Sequence, residues 1–329
     1  MKQFRLLLPA IVFLSALLLF GSCNDAAQND RSVPVIGFVD AFEDQTIAQA
    51  HQGFVDALAK NGFREQDNSL KIIYKNAQGN IPTLTQIVHY FIQEKVTLIA
   101  SCPSLATITA LQNTKDIPVF MMVSPTPELM KMNDAAGKAP ANLFGVADNL
   151  DYIDTSFRLI PKLITPKNGR LKIGMIFNQS EPQSVDALNR IKSLAQSLSV
   201  DVEALPVNNS SETQIVTQSL LSKHIDAFFA NPDNTVFASF ETILKSCNDA
   251  GVPIFTSEAG LVARGAVAAF GADIYQWGYQ AGEQAALFLK NPSAQDLNWE
   301  MVQVRNKVYN ADVARKFGIA IPQGFVEVK

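Results

Sequence analysis

Short apolar runs and longer stretches of helical periodicity alternate along most of this chain. Val35 to Val39 is a short apolar run of the kind that forms a strand buried on both faces. Ile47, Ala50, Phe54 and Leu58 then recur at helical spacing, and Asn61-Gly62 supplies a stop. Leu70 to Tyr74 reads as a strand, and Pro82 opens a helix that carries Leu84, Ile87, Val88 and Phe91 on one face. Leu98 to Ser101 and Ile117 to Val123 are further strands around a helix that starts at Ser104.

The second half repeats the plan. Lys172 to Phe177 is a strand, and Val185, Leu188, Ile191, Leu194 and Leu198 mark the helix after it. Strand 202–207, helix 212–222, strand 225–230, helix 235–248 and strand 252–256 follow, with a later helix over about 275–289. ASCPSLATITALQNTKDIPVF in the first half corresponds to ANPDNTVFASFETILKSCNDAGVPIF in the second: strand, proline-containing turn, helix, strand. The pattern predicts an α/β protein of two similar lobes with parallel sheets. In such sheets ligands bind beyond the carboxyl ends of the strands, so two facing lobes would share one cleft able to close on a small solute.

The N-terminus breaks the pattern. Lys2 and Arg5 precede the apolar stretch Leu6 to Phe20, which is shorter than the roughly 20 residues of a bilayer span. Gly21-Ser22-Cys23 follows and resembles a bacterial lipobox. We expect a lipoprotein signal peptide over residues 1–22, lipidation at Cys23 and a flexible tether over 23–32; the alternative is an ordinary secreted protein whose Cys23 is removed or free.

Composition narrows the function. With 47% hydrophobic and 18% charged residues the chain can build a sizeable core. A net charge of −4 with scattered Lys and Arg argues against nucleic acid as a partner. Cys102 and Cys247 fall in different lobes and read as buried small hydrophobes. His51, His89 and His224 are isolated, and neither HExxH, GxSxG nor a P-loop occurs, so no catalytic residue, metal or cofactor is expected.

The strand ends supply the candidate ligand contacts. Ser104 and Ser124 sit where a helix or turn begins, either meeting a ligand carboxylate or capping the helix. Asp233 is placed either to hold a ligand ammonium group or to cap the helix that follows, and Asn234 beside it is read the same way. Phe42 and Tyr275 either stack on an apolar ligand or belong to the core, and Asp44 lies in the first strand-end loop. Trp277 is expected to be packing.

NAQGN (Asn76 to Asn80), FNQSEPQS (Phe177 to Ser184), PDNTV (Pro232 to Val236) and VARGAVAAFGADIYQWGYQAGEQAA (Val262 to Ala286) resemble the ABC-transporter substrate-binding proteins of the tryptophan/tyrosine-type family. The resemblance spans about Val33 to Pro322. It implies a type I periplasmic-binding-protein fold with two Rossmann-like lobes, three crossovers and a hinged cleft. Lobe one would hold 33–147 and about 274–297, and lobe two 148–273 and about 298–329. It also implies an amino-acid-like, often aromatic ligand, contacted by Asn178, Glu181, Asp233, Asn234 and the Ser257-Glu258 loop. The chain departs from the family in reading Ser124-Pro125-Thr126-Pro127 where Thr-Asp-Pro is usual, and Cys102-Pro103-Ser104-Leu105 in place of Thr-Pro-Ala-Ala. Both departures flank the cleft and leave the ligand open.

The expected function is capture of a small solute outside the cytoplasm by a lipid-anchored monomer that hands it to an ABC permease. A ligand sensor that docks on a membrane signalling receptor is the alternative, and an exported hydrolase is the reading least supported.

Overall fold

The computed structural model describes residues 33–292 and 297–328, so the expected signal peptide, Cys23 and the tether to residue 32 lie outside the described part. Five parallel strands, β1 (Val35–Asp40), β2 (Lys71–Asn76), β3 (Leu98–Cys102), β4 (Val119–Pro125) and β5 (Leu143–Asp148), form most of the first sheet. The second is also parallel and comprises β6 (Lys172–Asn178), β7 (Asp201–Val207), β8 (Ala227–Ala230) and β9 (Ile254–Thr256), in the order β7-β6-β8-β9. Parallel strands covered on both faces must be apolar nearly throughout. Accordingly Ile36, Phe38 and Val39 of β1 and Phe228 and Phe229 of β8 are fully buried.

β10 (Ala268–Ala272), β12 (Arg305–Tyr309) and β13 (Val326–Glu327) form a smaller sheet in which β10 and β12 run antiparallel. The amide of Val267 donates to the Ile254 carbonyl, at 2.7 Å, which ties this sheet to β9 and hence to lobe two. β11 (Glu300–Met301) instead pairs with β5 and completes the first sheet in the order β11-β5-β4-β3-β1-β2. The amide of Val302 still donates to Ala147 O, so the chain stays on the first sheet to that point.

Local chemistry fixes the helix starts. Asp44 caps helix Gln45–Lys60 by accepting from the amides of Thr46 (2.8 Å) and Ile47 (3.0 Å). Asn80 caps Ile81–Gln93 with Pro82 in the first turn, where its missing N–H costs nothing. The single helix expected over 235–248 is two, Asn234–Ala238 and Phe240–Asp249. Ser239 (φ −116°, ψ 13°) breaks the run, and its carbonyl accepts the Thr242 and Ile243 amides that begin the second helix.

Helix Ile274–Lys290 returns to lobe one and lies against Gln45–Lys60 at backbone contact. A Cβ on Gly278 would fall 1.9 Å from the Ala50 carbonyl oxygen, and one on Gly53 2.1 Å from that of Tyr275. The small stripe Gly278, Ala281, Gly282 and Ala285 exists to allow this approach. Trp277 Nε1 donates to Val146 O and Gln284 Oε1 accepts from Gly145 N, which binds the same helix to β5.

Candidate functional site

The carboxyl ends of the two main sheets face one shared cavity. Its polar wall carries Ser104, Ser124 and Asp148 on strand ends of lobe one, and Tyr152, Gln183, Asp233, Asn234 and Glu258 from lobe two and the crossover leading to it. Val123, Leu150, Phe237, Trp277 and the prolines 103, 125 and 232 supply the apolar surface. A mixed lining of this kind is what a small-solute site requires.

Ser124 is presented by an irregularity in β4. The register with β5 shifts between Met121 and Ser124, and Val123 takes a left-handed φ of 50°. A β-branched residue in that region is strained and persists where surrounding structure enforces it. Behind it, the hydroxyls of Ser101, Thr107 and Ser124 form a buried chain with spacings of 2.9 and 3.1 Å.

Hydrogen bonds close the cleft from one lobe to the other. Asn234 Nδ2 donates to Ser104 Oγ at 2.9 Å, and Gln183 Nε2 reaches the same oxygen at 3.4 Å. Glu181 gathers the lobe-two side: its Oε2 accepts from Asn234 N (3.0 Å), Asn234 Nδ2 (2.7 Å) and Gln183 Nε2 (2.7 Å). Asp233 is equally engaged. Its Oδ2 accepts from Asn178 N (2.7 Å) and Ser184 Oγ (2.5 Å), and its Oδ1 from Val236 N (3.0 Å) as the cap of helix Asn234–Ala238. Burial raises the pKa of both acids, and the charge of Asp233 raises Glu181 further.

A second acidic group lies at the crossover. Tyr152 Oη donates to Glu258 Oε1 at 2.9 Å, and Glu258 is pushed up to about 7 by burial, against the opposing tyrosine bond. Asp148 pairs with Arg305 and accepts the Asn149 amide at 2.8 Å. Burial still lifts it to about 6, because Arg305 offsets only part of the desolvation.

The structure thus gathers Ser104, Ser124, Asp233, Asn234 and Glu258 on the cavity wall. Glu181, Asn178 and Ser257 stand directly behind it: Asn178 Nδ2 donates to Thr235 Oγ1, and Ser257 Oγ approaches Glu258 Oε1 at 3.5 Å. Three expected contacts lie elsewhere. Phe42 is packed in the lobe-one core, 5% exposed, where an apolar ring is better placed than in a polar cleft. Tyr275 projects along the helix pair, its hydroxyl on Asp56 Oδ2 at 2.9 Å. Asp44 caps its helix and, across the lobes, pairs with Arg264, whose other amino group meets Glu241 at 2.7 Å.

Trp277, expected to be packing, is both packed and part of the cavity wall. Asp148, Tyr152 and Gln183 join the wall in addition to the residues expected from the sequence. Asp148 carries a local signal, since it ends the apolar run Leu143 to Ala147 as Asp40 ends Val35 to Val39.

Two parallel-sheet lobes, three crossing segments and a polar cavity at the facing strand ends define a solute-binding protein of the periplasmic-binding type. Residues 32–327 match the family described as ABC transporter substrate binding protein, and the chain belongs to that family. It is 31% identical over 280 residues, 85% of this chain and 79% of the relative, to a tyrosine-binding protein of Clostridioides difficile (strain R20291). Among solved structures, a ligand-free, open substrate-binding protein with adhesive properties from Clostridium difficile is 28% identical, with a TM-score of 0.65 over 90% of this chain and 99% of its own. A protein of Streptococcus pneumonia in complex with L-Trp shares the fold, at 24% identity and a TM-score of 0.79 over 89% of this chain and 97% of its own.

Proposed function

We propose that this chain captures an aromatic amino acid in the cleft between its lobes and delivers it to an ABC permease. The observation that carries this reading is the cavity itself. It combines the hydroxyls of Ser104 and Ser124, acids at Asp148 and Glu258, and the rings of Trp277, Tyr152 and Phe237. An amino acid needs donors for its carboxylate, an acceptor for its ammonium and an apolar surface for its side chain. The tyrosine-binding relative supports the ligand class.

In this reading the lobes divide at 147/148 and 273/274, with the final return after about residue 302. The protein acts outside the cytoplasm as a monomer, tethered near its permease by lipid on Cys23, which raises the local concentration of loaded protein. Phe42, Asp44 and Tyr275 are left out of the ligand shell, with Asp148, Tyr152, Gln183 and Trp277 taking their places.

A thermal-shift screen of the chain from Asn24 onward tests the reading, with amino acids, sugars, peptides and purines at about 1 mM. A ligand with Kd near 1 μM would add roughly 4 kcal/mol, a rise of about 8 °C for a protein of this size. Shifts confined to tyrosine, tryptophan or phenylalanine are expected. A shift with sugars or purines alone would replace the ligand class. Labelling of the full-length chain by an alkyne fatty acid, lost in Cys23→Ala, checks the anchor.

A further inference from the structure

We propose that Asp148 holds the cationic group of the ligand and that this residue selects for solutes carrying a protonated amine. The proposal rests on the amino-acid reading above and assigns its ammonium subsite.

The assignment follows from where the acceptor oxygens of the cavity are already used. Asp233 is fully committed to the Asn178 and Val236 amides and the Ser184 hydroxyl, and Glu181 to Asn234, Gln183, Asn178 and Thr235. Either acid would have to surrender protein donors to receive a ligand, whereas Glu258 takes the Tyr152 and Ser257 hydroxyls on Oε1 alone and stands beside the subsite as its second acid. Asp148 differs. Arg305 and the Asn149 amide both meet its Oδ1, while Oδ2 is buried with no hydrogen-bond partner among the described residues. The residue is 2% exposed and lies on the cavity wall. A buried acceptor left unmade costs free energy, which a ligand donor would recover.

Charge points to an amine rather than a hydroxyl. Asp148 and Glu258 act on each other through space, and Arg305 is the cation bonded to this group. Arg305 pairs with Asp148 and not with Glu258, so the wall is one positive charge short once both acids are ionised. An ammonium group brings that charge and three donors without an acceptor, whereas a sugar hydroxyl brings only the hydrogen bond. Position adds a mechanical consequence. Asp148 ends β5, where Pro125 of β4 is its register partner, and Arg305 begins β12 on the other lobe. A cation held there sits at the crossover about which the lobes turn.

Calorimetric titration with L-tyrosine and L-tryptophan, and with their deaminated analogues 3-(4-hydroxyphenyl)propionate and indole-3-propionate, tests the assignment. We expect the wild-type protein to bind an amino acid and Asp148→Asn to bind it about 100-fold more weakly. The deaminated analogue should bind both proteins equally weakly. Amino-acid binding that changes less than 3-fold in Asp148→Asn would overturn the assignment and leave the amino-acid reading intact. Wild-type binding confined to solutes without an amine, or to none of the four probes, would overturn both. Should Asp148→Asn fail to fold, the wild type decides alone: an analogue bound within 10-fold of its parent amino acid refutes the assignment.

Discussion

Replacing Arg264 with alanine removes the one side chain that joins the N-terminus of helix Gln45–Lys60 in lobe one to Glu241 in lobe two. The Asp44 and Arg264 side chains are only 2% and 11% exposed, so water and salt screen the pair weakly. Breaking a buried pair by removing one partner costs about 3–5 kcal/mol when the survivor is stranded. Asp44 is not stranded, because the Thr46 and Ile47 amides and the positive end of its helix still serve it. The loss should therefore fall below that range, at about 2 kcal/mol. It falls on the closed arrangement alone, since with the lobes apart Asp44 regains water and Arg264 keeps Glu241. A closing ligand must then supply the difference, and its Kd should rise about 30-fold. Stopped-flow binding of L-tyrosine should show the change mainly in the off-rate. Glu241→Ala is the control: that carboxylate is 68% exposed and its loss should alter Kd less than about 3-fold. A normal Kd and off-rate in Arg264→Ala, with a lowered Tm of the ligand-free protein, would show that the pair supports the fold and has no part in closure.

Four further outcomes follow from the packing and the buried acids. Gly278→Ala would drive a Cβ into the Ala50 carbonyl and should destabilise by about 3 kcal/mol or more, a Tm loss of about 6 °C by calorimetry. Gly62→Ala meets no atom within 4 Å and tests instead its positive φ of 91°, with a cost of about 1 kcal/mol. Asp233→Ala removes a helix cap and the partner of Asn178 and Ser184, so it should lower the Tm of the ligand-free protein by about 6 °C. An unchanged Tm with lost binding would return Asp233 to the ligand. The pH dependence has a definite sign. Burial raises Glu258 to about 7 and Asp148 to about 6, so the folded protein binds these protons more tightly than the unfolded chain. Their contribution is fully present below the ordinary carboxylate range and is lost as pH rises through about 6 to 7. Arg305, Tyr152, Asp151 and Glu258 are the charged or titratable groups acting on Asp148, and Tyr152 and Asp148 those acting on Glu258. The ligand-free Tm should fall by about 5 °C between pH 5 and pH 8, and by less in Glu258→Gln. A flat profile would refute the buried, raised acids.

What the chain determines by itself is what depends on residues a few positions apart. Apolar runs such as 35–39 and 172–177 can only be strands covered on both faces, and Pro82 and the duplicated strand-turn-helix phrases mark where helices begin. The small residues between Gly278 and Ala285 were visible too, though not their purpose, which requires the facing backbone of Ala50 and Phe54. Tertiary structure decided everything that depends on pairs far apart in sequence. Asp44 finds Arg264 220 residues away, Tyr152 finds Glu258 across 106, and Asp148 finds Arg305 across 157. Nothing local distinguishes Asp44, which turned out to be a cap and an inter-lobe partner, from Asp148, which has an acceptor oxygen to spare. The difference is which donors the fold brings to each carboxylate and how thoroughly it removes water. Both are properties of packing, because hydrogen-bond satisfaction and desolvation are set by neighbours in space and not by neighbours in the chain.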